Sequence, residues 1–151
     1  MLQYLVEAKI MITKTRIVVR YAETDRMGIV HHSNYPIWYE VGRTDFCREM
    51  GLPYSQMEAQ GIMTPLIEVN SRFIKPAQYE DELDLRTRLL LVDGMRLKFG
   101  YEIYKAGEDK PINTGSTLHL WVDAKTFRPI NLKALRPELY AQMRTLMEPD
   151  K

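Results

Sequence analysis

The chain has 151 residues, 45% hydrophobic and 27% charged, and its 21 basic and 20 acidic residues leave a formal net charge of +1. This is the balance of a soluble globular domain, and the length fits a single domain, 1–151, with a core of its own. It excludes a basic field able to hold a phosphate backbone, so nucleic acid is not an expected partner, and no Lys/Arg run marks a membrane surface.

The start, MLQYLVEAKIMI, is apolar, but Glu7 and Lys9 interrupt it and no basic run precedes it, so it does not read as a signal peptide. Residues 1–10 are expected to be an N-terminal extension if Met11 is the true start. No stretch approaches the roughly 20 apolar residues that cross a bilayer, so no transmembrane segment is expected. Lys14–Tyr21 alternates Thr15, Ile17, Val19 and Tyr21 against Arg16, Val18 and Arg20 and predicts a strand. Asp25–Arg26 and Gly28 break it. From Asn34 to Met50 the period changes: Tyr35, Trp38, Tyr39, Gly42, Phe46 and Met50 form one face of a long helix, with Pro36 in its first turn and Gly51 past its end. Gly42 in that apolar stripe predicts a backbone pressed against a flat surface.

A short helix over Tyr54–Gln60 follows Pro53. Four strand-like runs come next: Leu66–Lys75, Glu82–Val92, Arg96–Lys105 and Ile112–Asp123, divided by Pro76, Asp93–Gly94 and Gly107–Lys110. Pro137 opens a last helix, Glu138–Met147. This order predicts an α+β domain, a curved antiparallel sheet of about five strands wrapped around one long central helix, plus a C-terminal helix. An open edge rich in β-formers predicts a homodimer. Cys47, the only cysteine, cannot form an internal disulfide; it reads as a small core hydrophobe and fits a reducing, cytoplasmic setting.

The most informative segment is Arg20–Tyr35, RYAETDRMGIVHHSNY. Glu23 and Asp25 run into Gly28, then the pair His31–His32, then a helix start at Ser33–Asn34. A carboxylate is thereby set beside the positive end of a helix, whose first amides have no partner inside it. Such a pair suits the splitting of an ester or thioester, because one group attacks or activates water while the other polarises the carbonyl. On the residues alone Asp25 is also readable as an ordinary turn cap. His31, His32 and Asp25 lack a fourth ligand at an ordered spacing, so no metal is expected. His119 reads as structural, and Tyr21 as either an inward strand residue or a pocket wall. Trp38, Tyr39 and Phe46 read as core, Met57 and Met63 as core, surface or acyl-tunnel residues, and Glu80–Glu82 as a solvated turn.

With motif and topology together, the chain resembles the hotdog-fold thioesterases, most closely the hydroxybenzoyl-CoA thioesterase branch and the short-chain acyl-CoA thioesterases associated with the Tol-Pal system. The likeness rests on Tyr21-Ala-Glu-Thr-Asp25, Gly28-Ile-Val, His32-Ser-Asn-Tyr35 and Trp38–Phe46, continues more weakly through Phe73-Ile-Lys-Pro-Ala77, and spans about Thr13–Asn131. The resemblance implies hydrolysis of an acyl-CoA thioester, with Asp25 as nucleophile or general base and the backbone amide at His32 polarising the carbonyl; the His32 imidazole is open to a second role, orienting substrate or assisting proton transfer. It implies substrate contacts at Tyr21, Gly28 and Arg96, the last toward the CoA phosphates. It also implies no cofactor, a homodimer or homotetramer with the pocket at the seam, and an acyl-carrier protein as another possible donor of the acyl group. Glu40 in the helix stands where another branch keeps its catalytic glutamate and is the alternative nucleophile. A non-catalytic acyl-CoA or acyl-carrier-protein binding module, and more remotely a dehydratase, are the competing readings on this fold.

Overall fold

The computed structural model describes residues 9–148, so the expected N-terminal extension lies almost wholly outside the described residues. In chain order the elements are β1 (Ile12–Val18), α1 (Asn34–Glu49), α2 (Tyr54–Ala59), β2 (Ile62–Met63), β3 (Leu66–Phe73), β4 (Glu82–Val92), β5 (Arg96–Lys105), β6 (Asn113–Leu120), β7 (Val122–Asp123), α3 (Leu132–Leu135) and α4 (Pro137–Leu146). Five strands form one antiparallel sheet in the order β1-β4-β5-β6-β3, and β2 pairs with β7 apart from it.

The alternation of β4 and β5 has the expected consequence. Leu83, Leu85, Thr87 and Leu89, with Leu97, Phe99, Tyr101 and Ile103, are buried against α1, whose own buried face is Tyr35, Trp38, Tyr39, Gly42, Arg43, Phe46 and Cys47. Tyr39 stacks on Tyr101 at 4.3 Å and Phe46 meets Phe99 edge-on at 5.5 Å. A Cβ on Gly42 would overlap the Thr87 hydroxyl and crowd Leu85. Glycine is what lets the helix lie on the sheet. Burial also raises the Cys47 thiol to about 11, which makes it inert.

Three local departures from the sequence pattern matter for the site. A bulge between Leu89 and Leu91 turns the β4 alternation over, so Val92 rather than Leu91 continues the buried row. The last strand run divides at Trp121 into β6 and β7. And β1 ends at Val18, so Tyr21 is not an inward strand residue: it sits in a single 3-10 turn and is 77% exposed.

The two sheet edges differ in degree. β1 leaves Ile12 and Val18 exposed beside Lys14 and Arg16, whereas β3, whose strand partner is β6, leaves Leu66, Ile67, Val69 and Phe73 exposed beside Glu68 and Arg72.

Candidate active site

After the 3-10 turn at Tyr21–Glu23 the chain folds into a small hairpin. The His31 N–H donates to the Glu23 carbonyl at 2.9 Å, Thr24 bridges to Val30, and the Asp25 N–H donates to the Ile29 carbonyl at 2.9 Å. The Gly28 N–H closes the tip on the Asp25 carbonyl at 2.9 Å, with Gly28 at φ 78°, the left-handed position that such a loop reserves for glycine. Asp25 occupies the first position of this turn, and its Oδ1 accepts the Met27 N–H at 2.8 Å. The aspartate is thus a turn former, and its carboxylate is held in a fixed direction.

The hairpin leads straight into α1, where the expected free amides must be counted one by one. Ser33 at the N-cap makes no side-chain cap bond. Its N–H is instead taken by the His31 ring, 3.2 Å from Nδ1, which also lies 2.8 Å from the Ser33 hydroxyl. The Asn34 N–H donates to the His31 carbonyl at 3.0 Å and the Tyr35 N–H to the His32 carbonyl at 3.3 Å. Between His31 and Tyr35, and among the described residues, only the His32 N–H has no acceptor. An unengaged N–H at the positive end of a helix is the kind of donor a carbonyl oxygen can use.

Asp25 and His32 line one cleft of about 280 Å³. Its remaining walls are mostly apolar: Met27, Ile29 and Tyr35 on one side, Phe73, Ile74 and Lys75 from the end of β3 on the other. The Val30 N–H reaches the Ala77 carbonyl at 2.8 Å, and the Tyr35 and Phe73 rings meet edge-on at 5.0 Å, so the two walls are tied together. The β3 wall, 48 residues along the chain from Asp25 at Phe73, is the part that motif reading misses; the only signal for it is the Phe73–Ala77 likeness. Gly28 shapes the hairpin tip without lining the cleft. Tyr21 packs edge-on against Tyr79 at 5.6 Å outside it. Arg96 lies elsewhere, at the Leu66 end of the sheet, paired with Asp93 at 2.9 Å beside a small pocket of about 170 Å³ that it shares with Lys98, Asn70 and Ser116.

Further along α1 a larger cavity of about 560 Å³ is lined by Glu40, Arg43, Tyr54, Thr64, Leu66 and His119, among others. Glu40 therefore faces a different space from Asp25. Beneath it runs a hydrogen-bond chain whose direction can be fixed. The His119 Nδ1 lies 3.0 Å from the Thr64 carbonyl, an acceptor, so Nδ1 carries the proton and Nε2 accepts from the Thr117 hydroxyl at 2.9 Å. Thr117 in turn accepts from Tyr101 at 2.6 Å, and Tyr101 accepts from Arg43 at 3.2 Å. Burial, then the nearby Arg43 charge, pushes His119 down to about 4 from an ordinary 6.5, which keeps it neutral. This agrees with the structural reading of His119. Among the described residues no group of three or more His, Cys, Asp or Glu side chains is arranged to hold a metal ion, and no helix is long and apolar enough to cross a membrane.

Comparison with known proteins bears on the whole of this architecture. The pattern defining the thioesterase-like superfamily matches residues 19–143. YneP of Bacillus subtilis, assigned as an acyl-CoA thioesterase, is 38% identical over 127 residues, 84% of this chain and 91% of that one. The acyl-CoA thioester hydrolase YbgC of Escherichia coli is 26% identical over 126 residues, 83% of this chain and 91% of its own. The crystal structure of a DHNA-CoA thioesterase from Staphylococcus aureus superposes with a TM-score of 0.81 at 34% identity, covering 87% of both chains.

Proposed function

The chain belongs to the thioesterase-like superfamily, and from that premise we propose that Asp25 and the His32 amide carry out the hydrolysis of an acyl-CoA thioester to the free acid and CoA. It is an enzyme of the thioester-hydrolase class on the hotdog fold. The observation that supports this assignment of roles is the pairing of a fixed carboxylate with an unengaged backbone donor in one cleft.

The thioester carbonyl oxygen points at the His32 N–H, which takes up the negative charge that develops there; one such donor lowers a barrier by about 3 kcal/mol. Asp25 then acts in one of two ways. As nucleophile, its oxygen bonds to the carbonyl carbon, the C–S bond breaks, and the CoA thiolate leaves and is protonated from water. The mixed anhydride is opened by a second water, which regenerates the carboxylate. As general base, Asp25 removes a proton from a water that attacks the same carbon, and that proton passes to the departing sulfur. Neither route needs a metal or redox cofactor.

The exposed Leu66, Ile67, Val69 and Phe73 of β3, an edge strand of the sheet among the described residues, support a homodimer. Antiparallel pairing of two such edges about an axis near Val69 sets the Phe73 end of one strand beside the Leu66 end of the other. The Asp25 cleft of one subunit then abuts the larger cavity and the Arg96 pocket of its neighbour, so that acyl group and CoA phosphates are held across the seam. Val69→Lys is expected to yield monomer by light scattering and to lose turnover with it. One domain, in the reducing cytoplasm where Cys47 remains a thiol, completes the reading.

A panel of short, long and aromatic acyl-CoAs tests the function. Turnover of at least one is expected, abolished in Asp25→Asn. Complete inactivity of the native protein across the panel overturns the assignment in favour of an acyl-CoA or acyl-carrier-protein binding module. Activity that survives in Asp25→Asn but fails in Glu40→Gln transfers the carboxylate role to the helix.

A further inference from the structure

Glu23 has no task in the chemistry above, yet both its carboxylate and its main-chain carbonyl are engaged by donors. It is 4% exposed. Both carboxylate oxygens face donors: Oε2 accepts the Trp38 indole N–H at 2.7 Å, and Oε1 accepts the Arg20 backbone N–H at 2.8 Å, with the Arg20 Nε at 3.4 Å. Its main-chain carbonyl accepts twice more, from the His31 N–H at 2.9 Å and the Asn34 side-chain amide at 2.9 Å. That same amide group also reaches the His31 carbonyl at 3.0 Å. Residue 23 is therefore bonded to the residue before His32, to the first residue of α1 and, through its carboxylate, to the second turn of the helix. Asp25 follows it by two residues.

A carboxylate withdrawn from water costs several kcal/mol unless donors replace its hydration. Here the replacing donors come from Trp38 on α1 and from Arg20 at the start of the 3-10 turn that leads into the hairpin. We propose that Glu23 is a positioning residue for the thioester cleavage assigned above, and rests on that reading: its carboxylate and carbonyl together clamp the hairpin to the helix and so fix the span between the Asp25 carboxylate and the His32 N–H. Both reacting partners of the substrate carbonyl are thereby set by one buried side chain that never touches it. A shift of about 1 Å between such groups lowers a rate by roughly 10²-fold.

Glu23→Gln tests this with little change in volume. The amide has one acceptor oxygen for two donors, so an N–H must confront either Trp38 or Arg20, and the helix moves relative to the hairpin. The expected result is a kcat lowered about 10- to 100-fold with KM within about threefold of native, in a protein whose circular dichroism is unchanged. Asn34→Ala, which leaves the carboxylate and its Trp38 bond intact, is expected to lower kcat alone by a smaller factor. Trp38→Phe is expected to lower kcat as well, and to add little when combined with Glu23→Gln, since both remove the same strut.

A kcat within twofold of native in both Glu23→Gln and Asn34→Ala overturns the proposal. So does a loss that tracks the fraction of unfolded protein, or one that appears in KM with kcat unchanged. If Glu23→Gln does not fold, the Asn34→Ala result decides by itself. Asp25→Asn assayed alongside separates the two levels of inference. If it stays active, the hydrolytic assignment falls; if it is inactive while the Glu23 and Asn34 variants behave as native, only the positioning role does.

Discussion

The two halves of α1 solve opposite problems. At its N-terminal end the hairpin and the His31 ring satisfy every amide from His31 to Tyr35 but that of His32, a residue that lines the cleft with Asp25. Toward its C-terminal half the run Arg43–Tyr101–Thr117–His119–Thr64 passes each proton to a waiting acceptor, in a buried setting. An unmet donor is what a reaction can use, and met donors are what hold a helix to a sheet. The contrast predicts that changes at the first end alter rate without stability, and changes at the second alter stability without rate.

The largest expected effect is at the first end. In the proposed mechanism Asp25→Asn removes the attacking or basic oxygen but keeps an acceptor for the Met27 N–H, so kcat should fall about 10³-fold or more while Tm moves by no more than about 2 °C. A comparable loss of Tm would show that the carboxylate is a structural cap and would collapse the contrast.

The next effect is a pH dependence at the second end. His119 titrates near 4 in the folded protein against an ordinary 6.5. The unfolded chain therefore binds the proton first as pH falls, and stability is lost between 6.5 and 4, by about 3 kcal/mol in total, and is fully present above that window. Thermal melting across that range should show the loss in the native protein and a shallower one in His119→Gln.

Tyr101→Phe should cost about 1–3 kcal/mol by leaving an Arg43 N–H and the Thr117 oxygen without their partner, read as a lowered Tm with little change in kcat. A loss of kcat at constant Tm would instead tie this chain to the chemistry. The smallest effect is expected for His32→Ala. The backbone N–H survives the substitution, so kcat should stay within about fivefold of native, equivalent to roughly 1 kcal/mol. A hundredfold loss would assign the imbalance to the imidazole rather than to the amide.

Much of the fold was legible because its signals are local. The alternation of Leu83, Leu85, Leu97 and Phe99, the three- and four-residue steps from Tyr35 to Phe46, and Gly42 inside that stripe each report which face of an element is buried, and the structure buries those faces. The Asp25–Gly28–His32 spacing likewise fixes a turn and a helix start, because a glycine at positive φ and a helix entry are properties of neighbouring residues.

Other features depended on residues far apart in the chain. Tyr21 leaves the strand because the chain enters a 3-10 turn at Tyr21–Glu23, which delivers Glu23 to Trp38. Val92 replaces Leu91 in the core because a bulge opposite β5 turns the alternation over. No spacing rule says that the His31 ring will capture the Ser33 amide and so leave His32's as the free donor, nor that Phe73, Ile74 and Lys75 will form the facing wall. The amino-acid order by itself determined the elements, their buried faces and the chemical groups on offer. Tertiary structure alone decided which of those groups stay unpaired and which share a cleft, since hydrogen-bond saturation and proximity belong to the packed whole and not to any one segment.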